Sequence, residues 1–280
     1  MRHPFNKETL AFIQSVGVEK PARWIHGYIY GTYTLQYLNC LLRIVRGLSK
    51  IPRFLNDFTT SSYRGKVTIL EDAKKLVRVN QEVQIDHLER ILPLKEAVGI
   101  VYRTGDRILL TECLCRKLKE NPCKPSEVCM IMGEPFASFM ARQQGDSCRW
   151  ISQEEAIDIL EMTEKAGFTH VTFNRDVVGD NFYAICNCCK CCCAGMLLQQ
   201  QFGMNVIHHS GYQVEVTEAC ISCGTCESLC QFEAIHSEEG CTAVVDLRKC
   251  KGCGVCASNC PESAIVLKET GDLKPLRLMD

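Results

Sequence analysis

The chain has 280 residues, 46% hydrophobic and 23% charged, which gives room for one large or two to three small domains with a buried core. A formal net charge of −1 argues against a surface built to bind nucleic-acid phosphates. Its 21 cysteines, with no apolar leader in the opening residues, argue against a secreted disulfide scaffold and for metal-held thiols in a reducing, cytoplasmic compartment.

Residues 1–95 are cysteine-poor and read as a mostly helical docking region. Pro21 opens an apolar and aromatic stretch read as one long helix to Val45, with Arg43 the only formal charge after Trp24. Its length suits a bilayer, but Gln36, Asn39, the threonines and two glycines make it weakly hydrophobic for a span. The first reading is a buried or partner-docking helix. Membrane-surface contact through Trp24–Val45 stays open because of the tyrosines and of Arg43, Arg46 and Lys50. Cys40 is expected to be a small buried residue of this helix. Beyond Pro52, Thr59–Ser62 reads as a loop and Tyr63–Leu70 as a short strand. Glu71–Val77 and Gln84–Leu92 read as amphipathic helices, the second stopped by Pro93.

Residues 96–205 are expected to form a Cys-rich α+β metal-binding domain. Ala97–Tyr102 and Arg107–Thr111 read as a strand pair joined by a hairpin at Thr104-Gly105-Asp106. The second strand runs into Cys113-Leu114-Cys115-Arg116. Residues two apart on an extended strand face the same way, so both thiols are expected to reach one metal site. Cys123 follows Pro122 in a loop, Cys129 stands near an expected helix start, and Cys148 precedes Arg149 and Trp150. Ser152-Gln153-Glu154-Glu155 is a capping box for a helix ending at Gly167, with Ile157, Ile159 and Leu160 on its core face.

Cys186, Cys188, Cys189, Cys191, Cys192 and Cys193 then fall within eight residues. Packing does not need that density, and oxidation threatens it unless metal holds it. Their directions diverge on any helix or strand, so the run divides between two sites or leaves some thiols beside one. With Cys113, Cys115, Cys123, Cys129 and Cys148 there are eleven sulfurs, enough for one or two further iron–sulfur clusters, with zinc the weaker reading. Arg116, Lys190 and His170 lie near these cysteines. They are read first as surface charges or supporting hydrogen bonds, and second as charge partners or proton donors.

His208 and His209 read as exposed linker residues, followed by a strand at Tyr212–Val216. Residues 211–269 hold two runs of one shape, Cys220-Ile-Ser-Cys223-Gly-Thr-Cys226-Glu-Ser-Leu-Cys230 and Cys250-Lys-Gly-Cys253-Gly-Val-Cys256-Ala-Ser-Asn-Cys260-Pro261. Each is C-x2-C-x2-C-x3-C, and the second follows the first at an offset of thirty residues. Gly224 aligns with Gly254, Ala234 with Ala264 and Ile235 with Ile265, so the repeat extends into core positions. Three thiols at this spacing wrap three irons of one cubane, while the fourth begins a helix leading away. Zinc knuckles share the C-x2-C unit, but two duplicated four-cysteine runs favour iron and sulfide. Gln231 stands where the second run has Pro261, a difference expected to loosen the turn after Cys230. Thr242–Asp246 and Ala264–Lys268 supply the remaining strands, and Cys241 is left as a free thiol.

These two runs resemble a bacterial-type ferredoxin carrying two [4Fe-4S] clusters. The resemblance implies that one cluster takes Cys220, Cys223, Cys226 and Cys260, and the other Cys250, Cys253, Cys256 and Cys230. Over most of residues 63–269 the chain also resembles a type of Cys-rich, ferredoxin-related iron–sulfur protein of anaerobic bacteria and archaea. That likeness rests on Cys113–Arg116, Pro122-Cys123, Cys129, the run Ile185–Cys193 and the ferredoxin runs. It implies cofactors rather than a substrate.

The expected fold class is α+β: a helical N-terminal region, a Cys-rich middle domain and a C-terminal two-cluster ferredoxin-like domain. The expected function is electron transfer, with low-potential electrons passed between a redox enzyme or carrier subunit and an enzyme through two ferredoxin clusters and at least one more in the middle domain. One alternative is a reductase whose middle-domain cluster is the catalytic site fed by the ferredoxin domain. Another is metal or cluster delivery, which soft thiolates permit but which does not require a ferredoxin domain. No dinucleotide or P-loop motif is present, and flavin binding stays open.

Overall fold

Asn6 starts the first helix, α1 (Lys7–Val16), by accepting the Thr9 amide on its side chain at 2.9 Å. Helices α2 (Pro21–Thr32), α3 (Thr34–Gly47) and α4 (Arg53–Ser62) follow. The computed structural model describes residues 5–48, 50–78, 83–85, 100–102, 108–178, 182–238, 240–271 and 275. The stretch expected as one long helix is thus broken at Tyr33. The Thr34 hydroxyl donates back to the Tyr30 carbonyl at 2.5 Å, so a side chain takes the acceptor at the junction. Among the described residues no helix is long and apolar enough to cross a membrane. Cys40 is exposed rather than buried, because α3 turns Thr34, Leu42 and Val45 inward. Thr59–Ser62 is the last turn of α4 and not a loop; Thr60 and Ser61 donate to the carbonyls of Asn56 and Phe58 at 2.8 and 3.0 Å.

Next come β1 (Tyr63–Val67), α5 (Leu70–Val77), β2 (Val83–Ile85) and β3 (Ile100–Tyr102). β4 (Ile108–Glu112), β5 (Glu127–Ile131), β6 (Cys148–Ile151), β7 (Thr169–Arg175), β8 (Phe182–Cys188) and β9 (Ile207–His208) join β1 in a seven-stranded sheet of order β6-β4-β5-β8-β7-β1-β9. Its pairings are antiparallel except β1 with β9. The expected hairpin between Ala97–Tyr102 and Arg107–Thr111 is not what pairs these strands. β3 pairs with β2, and β4 lies between β5 and β6, where Leu109 meets Ile131 and Trp150. Residues 97–99 and the turn at 104–106 lie outside the described residues. Of the helix expected over Gln84–Leu92, Gln84 and Ile85 are strand and the rest lies outside the described residues. Cys129 sits within β5, not at a helix start, because Val128, Met130 and Ile131 bury this segment as a strand.

The sheet is covered on both faces, as period-two alternation requires. Leu109, Ile131, Val171, Phe173 and Ala184 meet Phe12, Tyr30, Leu42 and Val45 of α1–α3. Ile108, Leu110, Met130, Ile151 and Ile185 meet Ala73 and Leu76 of α5 and Ile159 and Leu160 of the Gln153–Lys165 helix. That helix is capped by Ser152, which accepts the Glu155 amide at 3.2 Å. Residues 63–77 therefore belong to the same layers as 108–208. A close approach fixes the roof: a Cβ on Gly31 of α2 would stand 2.3 Å from the Phe139 ring.

The last segment is smaller and separate in its sheets. β10 (Tyr212–Val216) pairs with β13 (Ile265–Glu269), and β11 (Ile235–His236) with β12 (Val244–Val245), both antiparallel. Short helices at Thr225–Leu229 and Val255–Ser258 each follow a glycine in left-handed backbone, Gly224 (φ 74°) and Gly254 (φ 84°). The whole is α+β.

Candidate metal centres

In the last segment two cavities are closed by four cysteines each. Cys220, Cys223, Cys226 and Cys260 surround one, with Ile221, Pro261 and Ile265 on its walls. Cys230, Cys250, Cys253 and Cys256 surround the other, with Val214, Phe232, Ala234, Ile235 and Val245. Each set joins cysteines from both runs, because the fourth cysteine of a run lies beyond its short helix, not at the start of one as the spacing suggested. The cavities measure about 20 Å³ each. Backbone amides turn toward sulfur: Ala234 donates to Cys230 and Ala264 to Cys260, both at 3.3 Å, and Gly252 donates to Cys250 at 3.4 Å. The alignment of Ala234 with Ala264 thus carries a repeated hydrogen bond that favours thiolate. Four thiols, apolar walls and N–H···S bonds are a donor set that fits a [4Fe-4S] cubane.

The two sets differ in burial. Cys223 is exposed, and the Thr225 hydroxyl pulls its thiol down. Burial pushes Cys253 well up and Cys256 to about 12. Cys230, Cys250 and Cys253 pack against the large core under the N-terminal helices, together with Phe232 and Ala234.

The middle domain gathers its thiols in two groups. In the first, the sulfurs of Cys123, Cys189, Cys191 and Cys192 all lie within 4.8 Å of one another. Cys123 comes from the loop after the Leu114–Lys117 helix, and the others from the turn between β8 and the Ala194–Phe202 helix. Phe168 packs with Cys123, Cys189 and Cys192, and Cys191 is exposed. Arg116, 1% exposed, lies over the Phe168 ring at 4.5 Å. It donates to the carbonyls of Pro125 and Asn187 and reaches the Cys189 sulfur at 4.0 Å.

In the second group Cys113, Cys115, Cys129 and Cys186 line one cavity. Cys193 lies beside Cys115, and 3.3 Å from Cys188. Cys129 and Cys186 are register partners on β5 and β8. Cys113 and Cys115 do meet this group, but not by strand alternation. β4 ends at Glu112, and Cys113 begins a helical turn whose carbonyl takes the Arg116 and Lys117 amides at 3.0 Å. The dense run is therefore divided, with Cys189, Cys191 and Cys192 on one side and Cys186, Cys188 and Cys193 on the other. Cys148 joins neither group; its thiol donates to the Gly145 carbonyl at 3.2 Å. Cys241 is exposed.

The cavity of the second group holds about 100 Å³, five times either ferredoxin-type cavity by the same measure. Its lining also includes Tyr30, Tyr37, Tyr63, Tyr183 and Arg175. Arg175 is 3% exposed, stands 3.8 Å over the Tyr30 ring and donates to the Tyr37 hydroxyl at 3.4 Å. Its Nε has no hydrogen-bond partner, and among the described residues no carboxylate pairs with it. Burial pushes the hydroxyls of Tyr30, Tyr63 and Tyr183 up, which keeps them neutral donors. The sequence reading missed Arg175. Its signal was a lone cation closing an otherwise buried strand.

His170 is a supporting residue: fully buried, with Nδ1 2.5 Å from Asn187 Oδ1. Its Nε2 lies 3.0 Å from Glu164 Oε2, a close contact without hydrogen-bond alignment. His208 and His209 are half-buried rather than exposed. Burial and the cations Lys251 and Lys66 push both down to about 4, and neither lines a thiol cavity. Gln231 does not loosen its turn. It accepts the Lys190 amide at 2.9 Å and donates to the Gly167 carbonyl at 2.7 Å, next to the Cys189–Cys192 turn. Lys190 also pairs with Glu233 at 2.9 Å, and Ser258 donates to Glu164 at 2.5 Å.

A family model described as a 4Fe-4S binding domain matches residues 214–236 and 243–266, which contain both cysteine runs. The C-terminal segment is a ferredoxin-like domain that binds [4Fe-4S]. No curated protein matches the chain.

Proposed function

We propose that the protein carries single electrons between a redox partner and its own middle domain, through two [4Fe-4S] clusters held as the two interleaved thiol sets. The observation that carries this reading is the pairing of sets, one at the surface and one against the large core. When bound, such clusters supply one-electron exchange at low potential. The residues around them divide the work. Cys223 and Ile221, 61% exposed, present the outer set to a partner. Phe232 and Ala234 seal the inner set from water. Gln231, adjacent to Cys230, bonds to the turn that carries the middle-domain thiols. Cys113, Cys115, Cys129 and Cys186 would hold a third cluster on the shared face of β5 and β8.

Iron and acid-labile sulfide in the anaerobically purified full chain test this, in the wild type and in a Cys129→Ser/Cys186→Ser variant. The expected result is about 12 cluster irons in the wild type and about four fewer in the variant, with the ferredoxin-type EPR signals retained. About eight in both would sink the third cluster and leave only the two-cluster carrier.

A second reading, a reductase, is favoured by Arg175 and by the size of its cavity. A buried guanidinium without a counter-charge is costly, and a small organic anion would supply one. Its apolar body would lie on Leu38, Leu41 and Met140, with its charge toward Arg175. Anaerobic titration with acetate and benzoate, read by EPR of the reduced protein, tests it. A perturbation in the wild type that is lost in Arg175→Gln supports the reading; silence in the wild type removes it.

A further inference from the structure

The ten thiols of Cys113, Cys115, Cys123, Cys129, Cys186, Cys188, Cys189, Cys191, Cys192 and Cys193 are not equivalent in spacing. Only Cys123, Cys189, Cys191 and Cys192 bring their sulfurs within 4.8 Å of one another; among the described residues no other three Cys, His, Asp or Glu side chains do so with their ligand atoms. The ferredoxin-like domain sets the scale inside the same molecule. In its two sets, in a domain whose family binds a cubane, no three sulfurs lie within 4.8 Å of one another. The difference has a simple geometric meaning. Thiolates about 2.3 Å from one tetrahedral ion stand about 3.8 Å apart. Thiolates on four separate iron corners must stand farther apart than that. We propose that Cys123, Cys189, Cys191 and Cys192 hold a single tetrahedral thiophilic cation, zinc or iron, and not a cluster.

A second observation points the same way. Four thiolates around a divalent ion leave two negative charges, here in a site buried at Cys189 and Cys192, where Phe168 packs, and open to solvent at Cys191. Arg116 supplies the matching cation. It is 1% exposed, lies 4.0 Å from the Cys189 sulfur, and its Nε has no hydrogen-bond partner. Among the described residues no carboxylate pairs with it, so the buried guanidinium lacks a counter-charge until the thiols ionise on a metal. The ion would pin the Cys123 loop to the turn after β8. That turn is where Lys190 meets Gln231 and Glu233 of the ferredoxin-like domain. The site thus staples the surface on which the two domains meet. It uses none of the thiols proposed for the cluster in the larger cavity, and Arg116 stands between the two groups, facing Cys113 and Cys129 as well as Cys189.

The test is metal analysis of the full chain, wild type and Cys123→Ser/Cys191→Ser, with acid-labile sulfide measured in parallel. The expected result is one ion per chain beyond the sulfide-matched iron, lost about tenfold in the variant while sulfide stays constant. X-ray absorption at the zinc edge showing four sulfurs at about 2.3 Å and no second metal identifies zinc. Mössbauer spectroscopy showing sulfide-free tetrathiolate iron identifies iron. These two wild-type spectra decide the matter even if the variant folds poorly. Loss of about four irons and four sulfides together, or a wild type with no ion beyond its clusters, overturns the proposal.

Discussion

In the ferredoxin-like domain each thiol set comes from two short loops, each turning on a left-handed glycine, whereas the middle domain draws its thiols from segments that only the seven-stranded sheet brings together. Local backbone geometry holds the first kind of site. Long-range packing of strands and of the helical roof holds the second. The two should therefore break in different ways.

The largest expected effect is Gly252→Ala. Gly252 has φ 65°, and its Cβ would fall 1.8 Å from the Tyr212 carbonyl oxygen, a backbone atom that cannot move aside. The ligand loop between Cys250 and Cys253 would have to shift, so the inner set should lose its metal. Iron and sulfide should fall by about four each, while Gly271→Ala, with open space around it, leaves both unchanged. Normal cluster content in Gly252→Ala would mean that the loop is softer than its geometry implies.

Gly31→Ala probes the other kind of site and should cost less. Its Cβ meets the Phe139 ring at 2.3 Å, and a flexible ring can yield where a carbonyl cannot. Overpacking of this sort costs about 1–3 kcal/mol. The roof of the larger cavity at Tyr30 would shift with α2. Thermal unfolding should begin several degrees earlier, by about 4 °C or less per kcal/mol in a chain of this size. Spectroscopic changes should be confined to the middle-domain signals. Equal changes in the ferredoxin signals would show that the two regions are not held separately.

This contrast also explains what could be read from residue order. The ferredoxin-like domain was legible because its spacing, its repeat and its glycines are all local features of one short segment. In the middle domain the thiols were legible as a surplus but not as two groups. Which of them meet depends on Cys129 pairing with Cys186 across β5 and β8, and on Cys123 reaching the turn at Cys189. Strand order β6-β4-β5-β8-β7-β1-β9 is set by side-chain packing on two faces, and the expected hairpin at Thr104–Asp106 pointed to the wrong neighbour for β4. Arg175 showed only as a lone cation ending a buried strand, and its role was hidden for the same reason. Its partners Tyr30 and Tyr37 lie far from it in sequence, across the roof. At the break at Tyr33 a threonine hydroxyl takes the Tyr30 carbonyl, a pairing that composition does not reveal.

Gln231→Pro tests the link between the regions. It places at the first run the residue that the second run has, so the turn after Cys230 should keep its shape. It removes the bonds to Lys190 and Gly167, worth about 0.5–1.5 kcal/mol each. Cluster content should be unchanged. The rate of electron equilibration between ferredoxin and middle-domain signals, after pulsed reduction, should fall about tenfold. An unchanged rate would leave Gln231 as packing alone.

The smallest effect concerns acid. His208 and His209 sit at the seam between the sheet and the ferredoxin-like domain, and burial with Lys251 and Lys66 pushes both down to about 4. An unfolded chain takes up these protons near the ordinary histidine value of about 6.5. Between those values the unfolded state binds more protons than the folded one, so stability falls as pH falls. The contribution is fully present above about pH 6.5 and is lost as the pH drops toward 4. Urea midpoints of the holoprotein at pH 7 and pH 5 should therefore differ, and the difference should shrink in His208→Asn/His209→Asn. Both imidazoles are half-exposed to solvent screening, so the change should be modest. An acid shift of equal size in the variant would assign it to carboxylates elsewhere. The seam would then be no weaker to acid than either region it joins.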